Sequence, residues 1–284
     1  MTKRILVVLD PDDDTHAVLD TAIEIARRHE GEVTCVALVD TGAIDADASG
    51  GGIGSMYFAE KLRAQLKDET RTKARELLDE FTARLDRAGV PHTEDRVAEG
   101  ARVQSLVEAM RTHDLLVAGR ESHFYYAEPE KRTRTLAKVV EHAAAATLVV
   151  GTETLRPARV LVAYDGETTA ARTLQKFAHL SPFGTGLDVE LVHLRGTTEA
   201  DALKSERLLD GAASFLLAYG YASVTTTSLE GGSPADRIAD YAETSGADLL
   251  VAGAYSASGI RKLLVGSTAV KLLNDATTPL FLYS

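Results

Sequence analysis

The chain is written twice. Arg4-Ile-Leu-Val-Val-Leu-Asp10 returns as Arg159-Val-Leu-Val-Ala-Tyr-Asp165, 155 positions later. Asp114-Leu-Leu-Val-Ala-Gly119 returns letter for letter at Asp248–Gly253, an offset of 134. Glu32–Val39 aligns with Asp188–Arg195 at an offset of 156, and Glu99-Gly100 with Glu230-Gly231 at 131. The matches keep one order along the chain, which is the mark of duplication. The offset drops from 156 to 131 between the second and third apolar runs, so the first copy carries an insertion at about residues 41–58. The 284 residues divide into units 1–151 and 157–284, each the size of an ordinary domain. The connection Gly151–Pro157 is too short for a long flexible linker.

Within each copy, short β-branched runs alternate with helix-length amphipathic segments. In the first copy strands are expected at Arg4–Leu9, Val33–Val39, His92–Val97, Leu115–Ala118 and Thr147–Val150. Its helices are expected at Thr15–His29, Ala59–Ala88, Val103–Arg111 and Arg134–Ala145. The second copy repeats this with strands at Val160–Tyr164, Asp188–Leu194, Ser223–Ser228, Leu249–Ala252 and Leu280–Tyr283. Its helices fall at Thr168–His179, Glu199–Tyr219, Pro234–Thr244 and Thr268–Ala276. Continuous apolar runs, rather than alternating ones, are what a parallel sheet covered on both faces requires. The pattern predicts an α/β fold of two tandem, doubly wound open-sheet domains, with mostly parallel five-stranded sheets and helices on both faces. Ligands of such sheets sit beyond the carboxyl ends of the strands, where strand order reverses. Within the insertion, Thr41–Met56 reads TGAIDADASGGGIGSM, Gly- and Ala-rich without a period, as a surface loop does.

Composition narrows the function classes. Apolar residues make up 45% and charged residues 26%, as in a globular protein, and the formal charge is −11. Met1–Val150 holds 20 of the 31 basic and 27 of the 42 acidic residues, so both copies are acidic. An acidic surface argues against nucleic acid or an anionic membrane as the main partner. Ile5–Leu9 is followed at once by Asp10-Pro11-Asp12-Asp13-Asp14, so no cleavable signal is expected. No run approaches the ~20 apolar residues of a membrane span, and a cytoplasmic location is the expectation. Cys35, the only cysteine, lies in an apolar run and reads as a buried inert thiol. The chain has no Gly-x4-Gly-Lys-(Ser/Thr) loop, no His-Glu-x2-His pair and no Gly-x-Ser-x-Gly elbow. Its eight histidines lack metal-ligand spacing.

The stretch that can carry chemistry is Ala252–Asn274. A strand ends at Gly253, and Gly266-Ser267-Thr268 opens an amphipathic helix. The unpaired first-turn N–H groups and the positive end of the helix dipole can hold an anion, although ordinary capping gives the same sequence. Asp165 ends the first strand of its copy. It can cap the helix opening at Thr168 or hydrogen-bond a ribose or base, and both readings stay open. Ser233-Pro234 reads as a helix N-cap and first helical residue, and His193 as a packing residue.

From Gly253 the chain runs two residues to Ser256, then nine (Ala257–Val265) to Gly266-Ser267. This resembles the nucleotide motif of the universal stress protein family, Gly-x2-Gly-x9-Gly-(Ser/Thr), with Ser256 in place of the second glycine. The resemblance extends to Arg-Val-Leu-Val-Ala-Tyr-Asp-Gly from Arg159, to Glu-Gly-Gly-Ser-Pro-Ala-Asp-Arg-Ile from Glu230 and to Thr-Pro-Leu-Phe-Leu from Thr278. With the two-copy organisation, similar to the family's tandem form, it spans essentially the whole chain. The resemblance implies an adenine nucleotide alpha hydrolase-like fold. It also implies an ATP (or AMP or ADP) site, with or without Mg²⁺, formed by Ala163, Asp165, Val192, Gly253, Ala254, Ser256, Gly266, Ser267 and Thr268. It further implies that the fifth strands of the copies pair across a pseudo-twofold, making an intrachain pseudo-dimer. A homodimer of two chains and a protein partner stay open. Ser256 departs from the pattern, since its Cβ matters wherever phosphate must approach closely or φ is positive. Arg261 and Lys262 read as solvated loop cations.

The first copy fails the same test. Gly119 survives and Ser122 again replaces the second glycine, but Arg132-Thr133 stands where the other copy has Gly266-Ser267. An arginine side chain takes the space a phosphate needs, and the Asp10–Asp14 cluster repels a polyanion. The first copy is therefore expected to be a non-binding pseudo-copy. Three functions follow. The first is a stress-response regulator that binds adenine nucleotide in its second copy, with slow or no hydrolysis and no catalytic residue assigned. The second is a weak ATP hydrolase or phosphotransferase with Asp165 holding Mg²⁺ or water. The third is a nucleotide-independent interaction protein.

Overall fold

The structure, a computed structural model, describes residues 1–10, 13–39, 56–92, 96–99, 102–120, 132–254 and 267–284. The first copy supplies β1 (Arg4–Leu9), α1 (Thr15–His29), β2 (Glu32–Val39), α2 (Met56–Ala88), β3 (Arg96–Glu99), α3 (Arg102–Met110), β4 (Leu115–Gly119), α4 (Arg132–His142) and β5 (Ala146–Val150). The second supplies β6 (Arg159–Ala163), α5 (Thr168–Leu180), β7 (Asp188–Arg195), α6 (Glu199–Ala218), β8 (Ser223–Glu230), α7 (Pro234–Thr244), β9 (Leu249–Gly253), α8 (Ser267–Asp275) and β10 (Leu280–Tyr283).

The apolar runs become strands buried on both faces. Every residue of β4 and β5 is buried, and so is all of β1 after Arg4. The helices bury one stripe each. In α1 the stripe is Val18, Leu19, Ala22, Ile25 and Ala26, the 3.6-residue spacing of an amphipathic helix. That helix ends at Glu30, whose left-handed backbone (φ 49°) turns the following Gly31 N–H onto the Ala26 carbonyl at 2.9 Å.

The sheet order is β3-β2-β1-β4-β5-β10-β9-β6-β7-β8. Each copy thus has the same doubly wound order, with its first strand between its second and fourth. Two five-stranded sheets were expected; they are fused into one sheet of ten strands. The joint is β5–β10, antiparallel, with Leu280 opposite Val149, Phe281 opposite Leu148 and Leu282 opposite Thr147. The other strand pairs are parallel. Pairing β5 with β10 hydrogen-bonds two edges that would otherwise stand open. Helices α1, α2, α5 and α6 cover one face, burying Val18, Phe81, Phe177 and Leu209 among others. Helices α3, α4, α7 and α8 cover the other, with Leu106, Val139, Ile238 and Leu272.

Further contacts tie the copies together at their ends. Thr2 Oγ1 donates to the Leu180 carbonyl at 3.0 Å, and His29 Nε2 to that of Ser181 at 3.1 Å. Leu155, in the connection, is buried and donates its N–H to Thr21 Oγ1 at 3.0 Å.

Several expected bounds shift, that of the fourth helix among them (Arg132–His142 against Arg134–Ala145). The third strand, expected at His92–Val97, is β3 at Arg96–Glu99, preceded by a lone bridge between His92 and Val33. Its edge position leaves only Val97 and Ala98 as an apolar signal, too little to fix its start. The second helix begins at Met56 rather than Ala59. Most of the insertion lies outside the described residues, and no helix among those described is long and apolar enough to cross a membrane. Cys35 is buried, as its apolar setting implied.

Candidate functional site

In the second copy β6 lies between β7 and β9, so the chain winds away in both directions from the gap between β6 and β9. A cavity of about 220 Å³ opens beyond the carboxyl ends of these strands. Its lining includes Ala163, Tyr164 and Asp165 from the end of β6, Val192 and Leu194 from β7, and Ala252 and Gly253 from β9. Thr268 and Leu272 of α8 and Pro234 and Ile238 of α7 close it. Backbone bonds fix this rim: Tyr164 N–H donates to the Val192 carbonyl at 2.8 Å, and His193 Nδ1–H to that of Tyr164 at 2.9 Å. His193 therefore holds the ends of β6 and β7 together and is not in the lining.

Asp165 is exposed at the mouth. Its Oδ1 accepts the Glu167 N–H at 2.9 Å, closing a two-residue turn. The N-cap of α5 is Glu167, whose side chain makes no capping bond, so Asp165 shapes the turn rather than capping the helix. Gly166 has φ +80°, a left-handed backbone that favours glycine, and a Cβ there would also displace the Leu208 side chain, whose Cδ1 lies 2.5 Å from that position. Burial, and then the Asp165 charge, push the Tyr164 phenol above its ordinary pKa. Tyr164 is consequently neutral and its hydroxyl can donate.

Of the nine residues implied by the motif, Ala163, Asp165, Val192, Gly253 and Thr268 share this cavity. Ser267 is the first residue of α8, which turns its N-terminus to the cavity through Thr268. Ala254 is buried just beyond β9, with its N–H donated to the Tyr283 carbonyl at 2.9 Å, and is not in the lining. Ser256 and Gly266 lie outside the described residues, as do Ser122, Arg261 and Lys262. The motif reading passed over Tyr164, Leu194, Pro234 and Ile238. Pro234 and Ile238 stand four apart on one face of α7, a spacing that was visible beside Ser233. Lys271 of α8 pairs with Asp236 of α7. The Lys271 hydrogen bond holds the Asp236 carboxyl below its ordinary pKa, and the same bond raises that of Lys271.

The first copy offers a different crevice. Asp10 and Asp14 are both fully buried, whereas Asp165, the counterpart of Asp10, is exposed. A Cβ on Gly119 would fall on the Asp14 carboxylate. On Gly253 it would lie 3.1 Å from Thr169 Cγ2, the residue that replaces Asp14. In both copies this glycine packs closely against the start of the helix that follows the copy's first strand. What differs is that the first copy fills the space over it with a carboxylate. Next to Gly119, Arg120 reaches across to the second copy. Its Nη1 donates to the Leu273 carbonyl at 3.2 Å and its Nη2 to that of Thr278 at 2.6 Å. This satisfies the C-terminal end of α8, the helix whose N-terminus faces the cavity, with a cation at the negative end of its dipole.

Among the described residues, no cluster of His, Cys, Asp and Glu could hold a metal ion. Over 298 aligned positions the chain is 25% identical to Universal stress protein Slr1230 of Synechocystis sp., covering 99% of each. In solved structures it resembles a universal stress protein of Archaeoglobus fulgidus DSM 4304 (TM-score 0.69, 19% identity, 99% and 96% of the two chains covered). It also resembles a candidate universal stress protein of Pseudomonas aeruginosa UCBPP-PA14 (TM-score 0.61, 15% identity, 99% and 93% covered). At these identities the structures speak for the fold. The sequence model of the universal stress protein family matches residues 1–151 and again 157–284, so this chain belongs to that family.

Proposed function

We propose that the second copy binds an adenine nucleotide, ATP or alternatively AMP or ADP, and that the first copy is a structural pseudo-copy that binds none. The observation that carries this is the convergence of Ala163, Asp165, Val192, Gly253 and Thr268 on one cavity at the switch point. Its volume suits a base with its sugar, with Ala163, Val192, Ile238 and Leu272 as apolar walls. Asp165 supplies an acceptor for ribose hydroxyls, and the unpaired N–H groups at the start of α8 suit the phosphates. Any Mg²⁺ would arrive on the phosphates.

Asp165 is the only charged side chain in the described lining, which holds no histidine or lysine. A lone exposed carboxylate is a poor general base, which favours binding over hydrolysis. The protein then acts as a nucleotide-dependent regulator in the cytoplasm, its occupied and empty forms differing in affinity for a partner. Calorimetric titration of the full chain with ATP tests this. Saturable binding that weakens at least tenfold in Asp165→Ala is expected. A chain indifferent to ATP, AMP and ADP would favour a nucleotide-independent interaction protein.

A further inference from the structure

The sheet has two outer edges, and they are built differently. β3 is four residues long and begins and ends on a charge, Arg96 and Glu99. β8 is eight residues long, Ser-Val-Thr-Thr-Thr-Ser-Leu-Glu, hydrogen-bonded along its whole length to β7 and, among the described residues, to no strand beyond. Proteins blunt open edges with charges, prolines, bulges or shortness, and the first seven residues of β8 carry none of these. Three consecutive threonines instead give it high strand propensity.

The helix beside this edge is also unusual. In α6, Ser205, Leu209, Ala212 and Leu216 are buried against the sheet, and Ser205 Oγ lies 2.7 Å from Ser228 Oγ of β8. Leu208 leans inward over Gly166 at the end of β6. At 100° per residue the opposite flank, overhanging the open edge, carries Leu203, Glu206, Asp210 and Leu217. Leu203 is 51% and Leu217 52% exposed, two of the four large apolar residues that stand out from the described surface.

We infer that β8 and α6 form a self-association surface, through which two copies of this chain join their sheets edge to edge about a twofold axis. Antiparallel pairing of β8 with itself places the two α6 helices on one face, side by side and antiparallel. Because α6 lies over both β7 and β8, its axis is about one strand spacing, ~4.8 Å, from that twofold. The two helices then stand ~10 Å apart, within the packing distance of helices. One register serves both elements. The Ser205–Ser228 contact sets the level of helix against strand, and a twofold near Thr226 crosses α6 near Asp210. Leu203 of one copy then meets Leu217 of the other. Asp210 approaches its own mate, and Arg207, one turn away in each copy, supplies the countercharge. The footprint, ~30 Å along the helix and ~20 Å through helix and sheet, is on the order of 600 Å² per copy. That is somewhat below the ~800 Å² per partner of a standard interface, and a micromolar dimer is the expectation.

Sedimentation velocity of the full chain between about 1 and 200 µM tests the inference, with hydrogen exchange read at both ends. A monomer–dimer equilibrium is expected, with the Ser223–Glu230 amides gaining protection in the dimer. Leu203→Glu combined with Leu217→Glu, both at exposed positions, should raise the dissociation constant at least tenfold while leaving the melting temperature and ATP titration unchanged. A chain that stays monomeric throughout overturns the inference. So does a dimer that the double substitution leaves intact, because its interface then lies elsewhere.

Discussion

At single residues, the structure separates groups that serve the fold from groups that serve the site. Gly253 looked like part of a phosphate motif, yet Gly119 occupies the same position over a crevice filled by Asp14. The glycine was legible as important; its close packing was not, because the helix beside it is far away in sequence. Arg120 gave no sequence signal at all, since its partners, Leu273 and Thr278, are more than 150 residues on. Arg120→Ala removes two hydrogen bonds from a charged donor, and a loss of ~2–3 kcal/mol in urea unfolding is expected. His29 makes the joint between the copies sensitive to acid. Burial lowers its pKa below that of a free histidine, against the opposing effect of its bonds to the Pro182 and Ser181 carbonyls. Below pH ~6.5 the unfolded chain therefore takes up the proton before the folded one, and stability falls with pH. Comparing urea midpoints at pH 7.5 and 5.5 checks this: the drop should shrink in His29→Gln, and an equal drop would assign it to other groups.

Among elements, the antiparallel β5–β10 joint does the most to shape the molecule. The family resemblance implied that the two apolar fifth strands pair, and the pairing covers edges that would otherwise stand open. What could not be read was β3, because Arg96-Val-Ala-Glu99 holds only two apolar residues between charges and gives no continuous apolar run. Phe281 is fully buried at the joint, its ring edge-on to Phe177 with centroids 5.3 Å apart. Phe281→Ala should cost ~3–5 kcal/mol, and chemical denaturation will measure it. A cost below ~1 kcal/mol would show that the joint contributes little to stability.

The whole molecule is one sheet with an unequal pair of crevices. The interlock of β5 with β10, Arg120 with α8 and Leu155 with Thr21 should make the copies unfold together. Calorimetric and van't Hoff enthalpies should therefore agree, and two resolved transitions would show the copies to be independent. The inequality of the crevices was partly legible, in Arg132-Thr133 against Gly266-Ser267. The burial of Asp10 and Asp14 was not, since an acidic run after a strand reads as a solvated loop. Counting bound nucleotide tests the central claim most directly. Native mass spectrometry of the full chain with excess ATP should show one adenine nucleotide per chain, lost in Asp165→Ala and retained in Arg120→Ala. Two per chain would contradict the pseudo-copy, and none would contradict the nucleotide site itself.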